Sequence, residues 1–184
     1  MLTKQWLRRA RAIWLIGLLS AGFILVPMSP ASAAPAIVPG THKCVGSDSS
    51  FNGYRGVVCV DIAVDPISGR VQGRAQAMCQ SLSSLEIVQC AGIMVGMWVH
   101  NYTNNSDTAD EFRVCGRETI PWHDPPCPTG RLQYLHSGAA AHCGHIYDVT
   151  VYSYFHVPTV PVGASPIAVA VVSNNYVYNP RGCT

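Results

Sequence analysis

What this chain lacks narrows its possibilities first. Past residue 33 it has no Cys-x-x-Cys pair, no Gly-x-Ser-Gly segment, no internal repeat and no long stretch of helical period. The missing cysteine pair argues against a thiolate metal site, and the missing serine segment removes the nucleophile of a trypsin-like hydrolase. Charge is scarce as well. Residues 1–33 hold four of the 12 Lys and Arg and none of the 10 acids, so residues 34–184 carry 8 against 10, a net −2 where the whole chain has +2. The basic balance therefore belongs to the first segment alone, and neither a nucleic-acid partner nor an anionic membrane partner is expected.

That first segment has the layout of a secretory signal. Lys4, Arg8, Arg9 and Arg11 form a positive flank, Ala12 to Val26 is an apolar run too short to span a bilayer comfortably, and Ala31-Ser32-Ala33 offers a small-x-small cleavage site. Pro27 and Pro30 separate the apolar run from the cut, which is expected after Ala33. The flanks of Arg8-Arg9 match a twin-arginine signal at the arginine pair only, so ordinary unfolded export fits better. The expected organisation is a cleaved bacterial-type export signal over 1–33, an N-terminal arm over 34–56 and one β domain over 57–184. A secreted, extracellular product free of the membrane follows.

All eight cysteines lie beyond the expected cut, and an even count in an exported chain reads as four bridges. Eight cysteines allow 105 pairings, so spacing alone does not fix the connectivity. Loop length favours neighbours: Cys79 with Cys90 and Cys115 with Cys127. Cys183 would then tie the tail to Cys143, leaving Cys44 for Cys59.

The remaining pattern is that of short strands. Val58, Val60, Ile62 and Val64 alternate up to the turn cluster Asp65-Pro66-Ile67-Ser68-Gly69, and Val71 to Met78 runs back, which predicts a hairpin. Ile87 to His100 is apolar almost throughout and reads as a central strand buried on both faces, because Gly92 and Gly96 would each cost a helix about 1 kcal/mol. Further strands are expected near Phe112 to Arg117, His145 to Val157, Ile167 to Val172 and Tyr176 to Tyr178. The fold class is all-β: a disulfide-stabilised antiparallel β-sandwich, immunoglobulin-like in the loose sense, with a small β-barrel as second choice.

Three places offer chemistry. Between Cys115 and Cys127 lies a proline-rich stretch with Arg117, Trp122 and His123, and a bridge there would hold it as a preorganised binding loop. The face of the 145–157 strand carrying Thr150, Tyr152, Tyr154 and His156 has aromatic bodies with polar edges, suited to sugar or protein. His136, His142 and His145 lie close in sequence, and His142 and His145 are weak metal candidates. Ala140-Ala141-His142-Cys143 resembles the segment around the catalytic histidine of trypsin-like serine proteases, and Ile37-Val38-Pro39-Gly40 is similar to their activated N-terminus. The order fails, since only 41 residues follow Cys143 in the 184. No catalytic residue and no cofactor is assigned. A non-enzymatic binding module with an extracellular protein or carbohydrate partner ranks first. A small secreted hydrolase or a loop-type protease inhibitor using residues 115–127 is the alternative.

Overall fold

Alternating β-branched and small residues, punctuated by glycine and asparagine turns, produce strands and no helix among the described residues. A computed structural model describes residues 34–116, 118–119, 122–123, 125–158, 168–181 and 183. In chain order the strands are β1 (Ala36–Ile37), β2 (Lys43–Phe51), β3 (Tyr54–Asp65), β4 (Arg70–Ser81), β5 (Ile87–Val88), β6 (Gly92–Asn101) and β7 (Ser106–Asp107). There follow β8 (Glu111–Cys115), β9 (Glu118–Thr119), β10 (Trp122–His123), β11 (Leu132–Leu135), β12 (Ala139–Ala140), β13 (Ile146–His156) and β14 (Ala168–Val177).

The long hairpin β3–β4 is the spine of the first sheet. β1 and β2 pair with the free side of β3, while β5, β11 and β12 pair with the free side of β4. Asp65 closes the hairpin turn by accepting the amide of Ile67 on its side chain and that of Gly69 on its carbonyl, both at 2.9 Å. The second sheet is built on β6 and β13, with β14 beyond β13 and β7 and β8 beyond β6. Every pairing is antiparallel, β9 and β10 make a separate two-stranded ribbon, and no ladder joins the two large sheets among the described strands. The arrangement is sandwich-like, without barrel closure.

Period-2 alternation decides what lies between the sheets. Val58, Val60, Ile62, Val71, Ala75 and Ala77 of the first sheet face Ile93, Val95, Met97, Val99, Val149, Val151 and Phe155 of the second, and all are buried. Burying each such Val or Ile is worth about 1.5–3 kcal/mol. Two glycines let the sheets approach: a Cβ on Gly56 would stand 2.1 Å from the Phe155 ring, and one on Gly73 would stand 2.1 Å from the Met97 sulfur.

The bridges join Cys44 to Cys59, Cys79 to Cys90, Cys115 to Cys127 and Cys143 to Cys183, the four pairs expected, of which loop length favoured the second and third. Four disulfides suit an oxidising compartment.

Several elements differ from expectation. The 34–56 segment carries β1, β2 and the Asn52-Gly53 turn, whose positive φ values of 52° and 80° set the β2–β3 hairpin. The 87–100 run is split: Ile87–Val88 pairs with β4 in the first sheet, and the chain crosses to the second before β6 begins at Gly92. The outward residues of β6, Met94, Trp98 and His100, are only half-buried, so this strand is covered on one face. The two closing strands expected at 167–172 and 176–178 are one strand, β14. It continues through Ser173-Asn174-Asn175 because its ladder with β13 is unbroken and Lys43 Nζ caps the Ser173 carbonyl at 2.9 Å.

Candidate functional site

The outer face of the second sheet assembles from register. Tyr152 on β13 lies opposite Gly96 on β6 and Val171 on β14, and Gly96 in turn lies opposite Phe112 on β8. The neighbouring row is Val114, Met94, Tyr154 and Val169, and Trp98 sits one step further along β6, opposite Thr150. Phe112 is 62% exposed and Val171 55%, large values for apolar side chains.

Gly96 makes room for an aromatic ring on this face. Its missing side chain is replaced by the Tyr152 ring, whose Cζ would stand 2.1 Å from any Cβ there. The ring lies 5.7 Å from Trp98 at an interplanar angle of 43° and 6.0 Å from Tyr154 at 79°. The Tyr152 hydroxyl donates to the Asp110 carboxylate at 2.7 Å. Burial, then this hydrogen bond, pushes its pKa up to about 12, so it remains a neutral donor at physiological pH.

Of the expected aromatic strip, Tyr152 and Tyr154 are half-exposed. Thr150 and His156 are buried, and Thr150 spends its hydroxyl on Asp148 at 2.8 Å. The strip is therefore shorter along β13 than the alternation implied and wider across the sheet. Phe112, Trp98, Val169 and Val171 were missed because they lie on strands other than β13, and a one-strand pattern carries no cross-strand register.

Arg117 lies outside the described residues. Trp122 and His123 form β10, paired with β9, but their side chains lie outside the described part. The stretch from Cys115 to Cys127 is closed by its disulfide and by the Gly116 amide donating to the Pro125 carbonyl at 2.7 Å.

His142 and His145 are brought together by the turn at Gly144, with ring centroids 5.0 Å apart. The side-chain contact of His145 Nδ1 is the Asn101 amide at 2.9 Å. His136 is fully buried elsewhere: Nδ1 accepts the Gly138 amide at 2.8 Å, which leaves Nε2–H to donate to the Ala109 carbonyl at 3.2 Å. Both nitrogens are thus used in holding the chain. Nearby, Glu111 on β8 accepts from the Tyr134 hydroxyl at 2.6 Å and from the Ser137 hydroxyl. His136 Nε2 also lies 3.8 Å from Glu111 Oε1, the oxygen that accepts from Ser137, so the group acts as a tether between the sheets. A cleft of about 410 Å³ is lined by Gln89, Cys90, Ala91, Gly116, Pro126, Cys127 and Pro158, which supply no acid, base or nucleophile.

Set beside known proteins, the chain matches no family model and no curated protein.

Proposed function

We propose that residues 1–33 export this chain and are cut off after Ala33, and that the remainder works extracellularly as a non-enzymatic binding module. Its partner is another protein, engaged by the outer face of the second sheet. One observation carries this reading: the contiguous row Val171, Tyr152, Gly96 and Phe112, with Val169 and Trp98 beside it, exposes apolar and aromatic surface on a domain with four disulfides. Contiguous apolar faces of this kind mark interaction surfaces, and Tyr and Trp are enriched at their hot spots. A protein is preferred to a polysaccharide because the rings are tilted by 43° and 79° to one another, which gives no common plane for stacking on sugar rings. The aliphatic flank of Val169 and Val171 points the same way.

The test is a binding screen of the secreted protein against extracellular proteins and polysaccharides, repeated with Phe112→Ser and Val171→Lys. Both positions are exposed, so folding should be unchanged within about 0.5 kcal/mol. Binding to a protein partner should fall by about 30-fold per hot-spot residue. Replacement of residues 116–126 by Gly-Ser should leave it intact. Binding that survives both face variants and vanishes with the loop replacement would move the site to the Cys115–Cys127 segment. Capture of polysaccharide alone would discard the protein partner.

A further inference from the structure

Cys44 and Cys59 face each other directly across β2 and β3, so their bridge spans neighbouring strands of one sheet. Cys44 is exposed and Cys59 is buried. His42, two residues before Cys44, lies on the same face of the chain and has 56% of its side chain exposed. Its Nδ1 stands 2.7 Å from Oδ1 of Asp61, a carboxylate with a 6% exposed side chain, and its Nε2 stands 3.2 Å from the Cys44 sulfur.

This geometry fixes the tautomer. An ionised carboxylate only accepts, so Nδ1 carries the hydrogen given to Asp61 and the lone pair of the neutral ring sits on Nε2, aimed at the sulfurs. A disulfide sulfur has no hydrogen to offer that lone pair. A carboxylate fixing one nitrogen while the other points at thiolate-forming sulfurs is the outer-sphere arrangement that orients a metal-binding histidine. Nε2 and the two sulfurs lie within 4.8 Å of one another, and among the described residues this is the one such group of three His, Cys, Asp or Glu side chains. Arg74 stands opposite Asp61 in the ladder, but its guanidinium donates to Gln133 at 2.9 Å.

We propose that His42, Cys44 and Cys59 form a zinc site that is closed while the bridge is oxidised and opened by an external dithiol. One thiolate of the dithiol attacks the exposed Cys44 sulfur, breaking the Cys44–Cys59 bond and releasing Cys59 as thiolate. The second thiolate then attacks the reductant's own sulfur in the mixed disulfide, releasing Cys44 and leaving as a cyclic disulfide. The reductant loses two electrons and the bridge gains them, and the two protons from the dithiol pass to the cysteine sulfurs or to water. Zn²⁺ displaces any protons on the two sulfurs and takes two thiolates and Nε2, a Cys₂His set with a fourth position open to water. Two thiolates balance its charge. The exposed side of His42 is the entry path. The other exposed cysteine, Cys143, has His142 beside it in sequence, but that pair belongs to no such three-donor group among the described residues.

The test treats the full secreted protein with limiting dithiothreitol, removes it without air, adds Zn²⁺, and measures bound metal together with the alkylation of each cysteine. One zinc per chain is expected, protecting Cys44 and Cys59 from alkylation, with no uptake of Mg²⁺ and none of zinc before reduction. Asp61→Asn should weaken zinc by about 10–100-fold, the usual cost of losing an outer-sphere partner, and His42→Ala should weaken it further. His42→Ala keeps all four bridges, so it decides the matter even where Cys44→Ser with Cys59→Ser fails to fold. Zinc uptake unchanged in His42→Ala would overturn the proposal. So would a Cys44–Cys59 bridge that stays closed when the buried pairs Cys79–Cys90 and Cys115–Cys127 have opened.

Discussion

At the scale of single residues, two glycines do opposite work with the same missing atom. Gly56 makes room for the Phe155 ring between the sheets, and that ring is completely buried, so an added methyl has nowhere to push it. Gly56→Ala should therefore cost about 1–3 kcal/mol, seen as a lower denaturant midpoint at unchanged slope. Gly96 makes room for Tyr152 on the outer face, where the ring is half-exposed and free to swing toward solvent. Gly96→Ala should leave the midpoint within about 1 kcal/mol of the parent, the worth of the Tyr152 to Asp110 hydrogen bond it disturbs. It should nevertheless weaken partner binding, because the same shift breaks up the row from Val171 to Phe112. Equal losses of stability in the two variants would show that the outer face is as tightly packed as the core. Nothing in a one-dimensional pattern separates these glycines, since each sits in an alternating strand. The partner ring that explains each one is on a strand about 50 to 100 residues away.

At the scale of elements, the sheets are tied where β8 meets β11. Glu111 accepts from Tyr134 and Ser137, and Arg113 lies 5.6 Å over the Tyr134 ring. The hydrogen bond from Ser137, then that from Tyr134, holds the Glu111 carboxyl below its ordinary value of 4.5. A carboxyl depressed in the folded state is protonated first in the unfolded chain. Its contribution is thus complete above about pH 4.5 and is lost as pH falls through the folded value. Glu111→Gln should cost about 1 kcal/mol at pH 7, the share of a charged hydrogen bond left after discounting a side chain that is 34% exposed. The stability difference between the two proteins should shrink as pH falls below about 4.5. A difference that does not change with pH on acidification would assign the tether to packing instead of charge. Elements of this kind were unevenly legible. The hairpin at Asp65 to Gly69 was readable because the turn residues and the alternation agree. The β2–β3 hairpin carries an equally strong Asn52-Gly53 signal, but Gly46, Ser47, Asp48, Ser49 and Ser50 before it give no apolar alternation, and a bulge between Gly46 and Ser50 shifts what pattern there is. The Glu111 tether was invisible because Ser137 is 26 residues away and only the folded sheets bring them together.

At the scale of the whole molecule, no bridge joins a strand of one sheet to a strand of the other, so the two layers are held face to face by the apolar core and by polar ties at its margins, among them Glu111 with Tyr134 and Lys43 with Ser173. The disulfides act within layers and at the tail. The inward alternation that builds the core was legible in β3 and β13 and the returning hairpin strand in β4, and the local pairs of cysteines followed from loop length, whereas β6 was expected to be buried on both faces and the proposed binding face required register. Loop length also ranks the bridges. Separations of 11, 12 and 15 residues each constrain the unfolded chain by about 3 kcal/mol, and the 40 residues between Cys143 and Cys183 by about 4 kcal/mol, before any loss to native strain. By loop length the last bridge therefore has the largest effect on global stability, and it holds the tail beyond β14, where the Tyr178 amide donates to the His145 carbonyl at 3.0 Å, the Gly144 amide donates to the Tyr178 carbonyl at 2.8 Å, and Tyr178 packs on the core. Cys143→Ser with Cys183→Ser should lower stability by up to about 4 kcal/mol. Hydrogen exchange under native conditions should speed up at residues 178–183, with the β13–β14 ladder from Phe155–Ala168 to Ile146–Val177 keeping its protection. Exchange that instead spreads along β14 would mean that the bridge, and not the ladder, holds the edge of the second sheet in place.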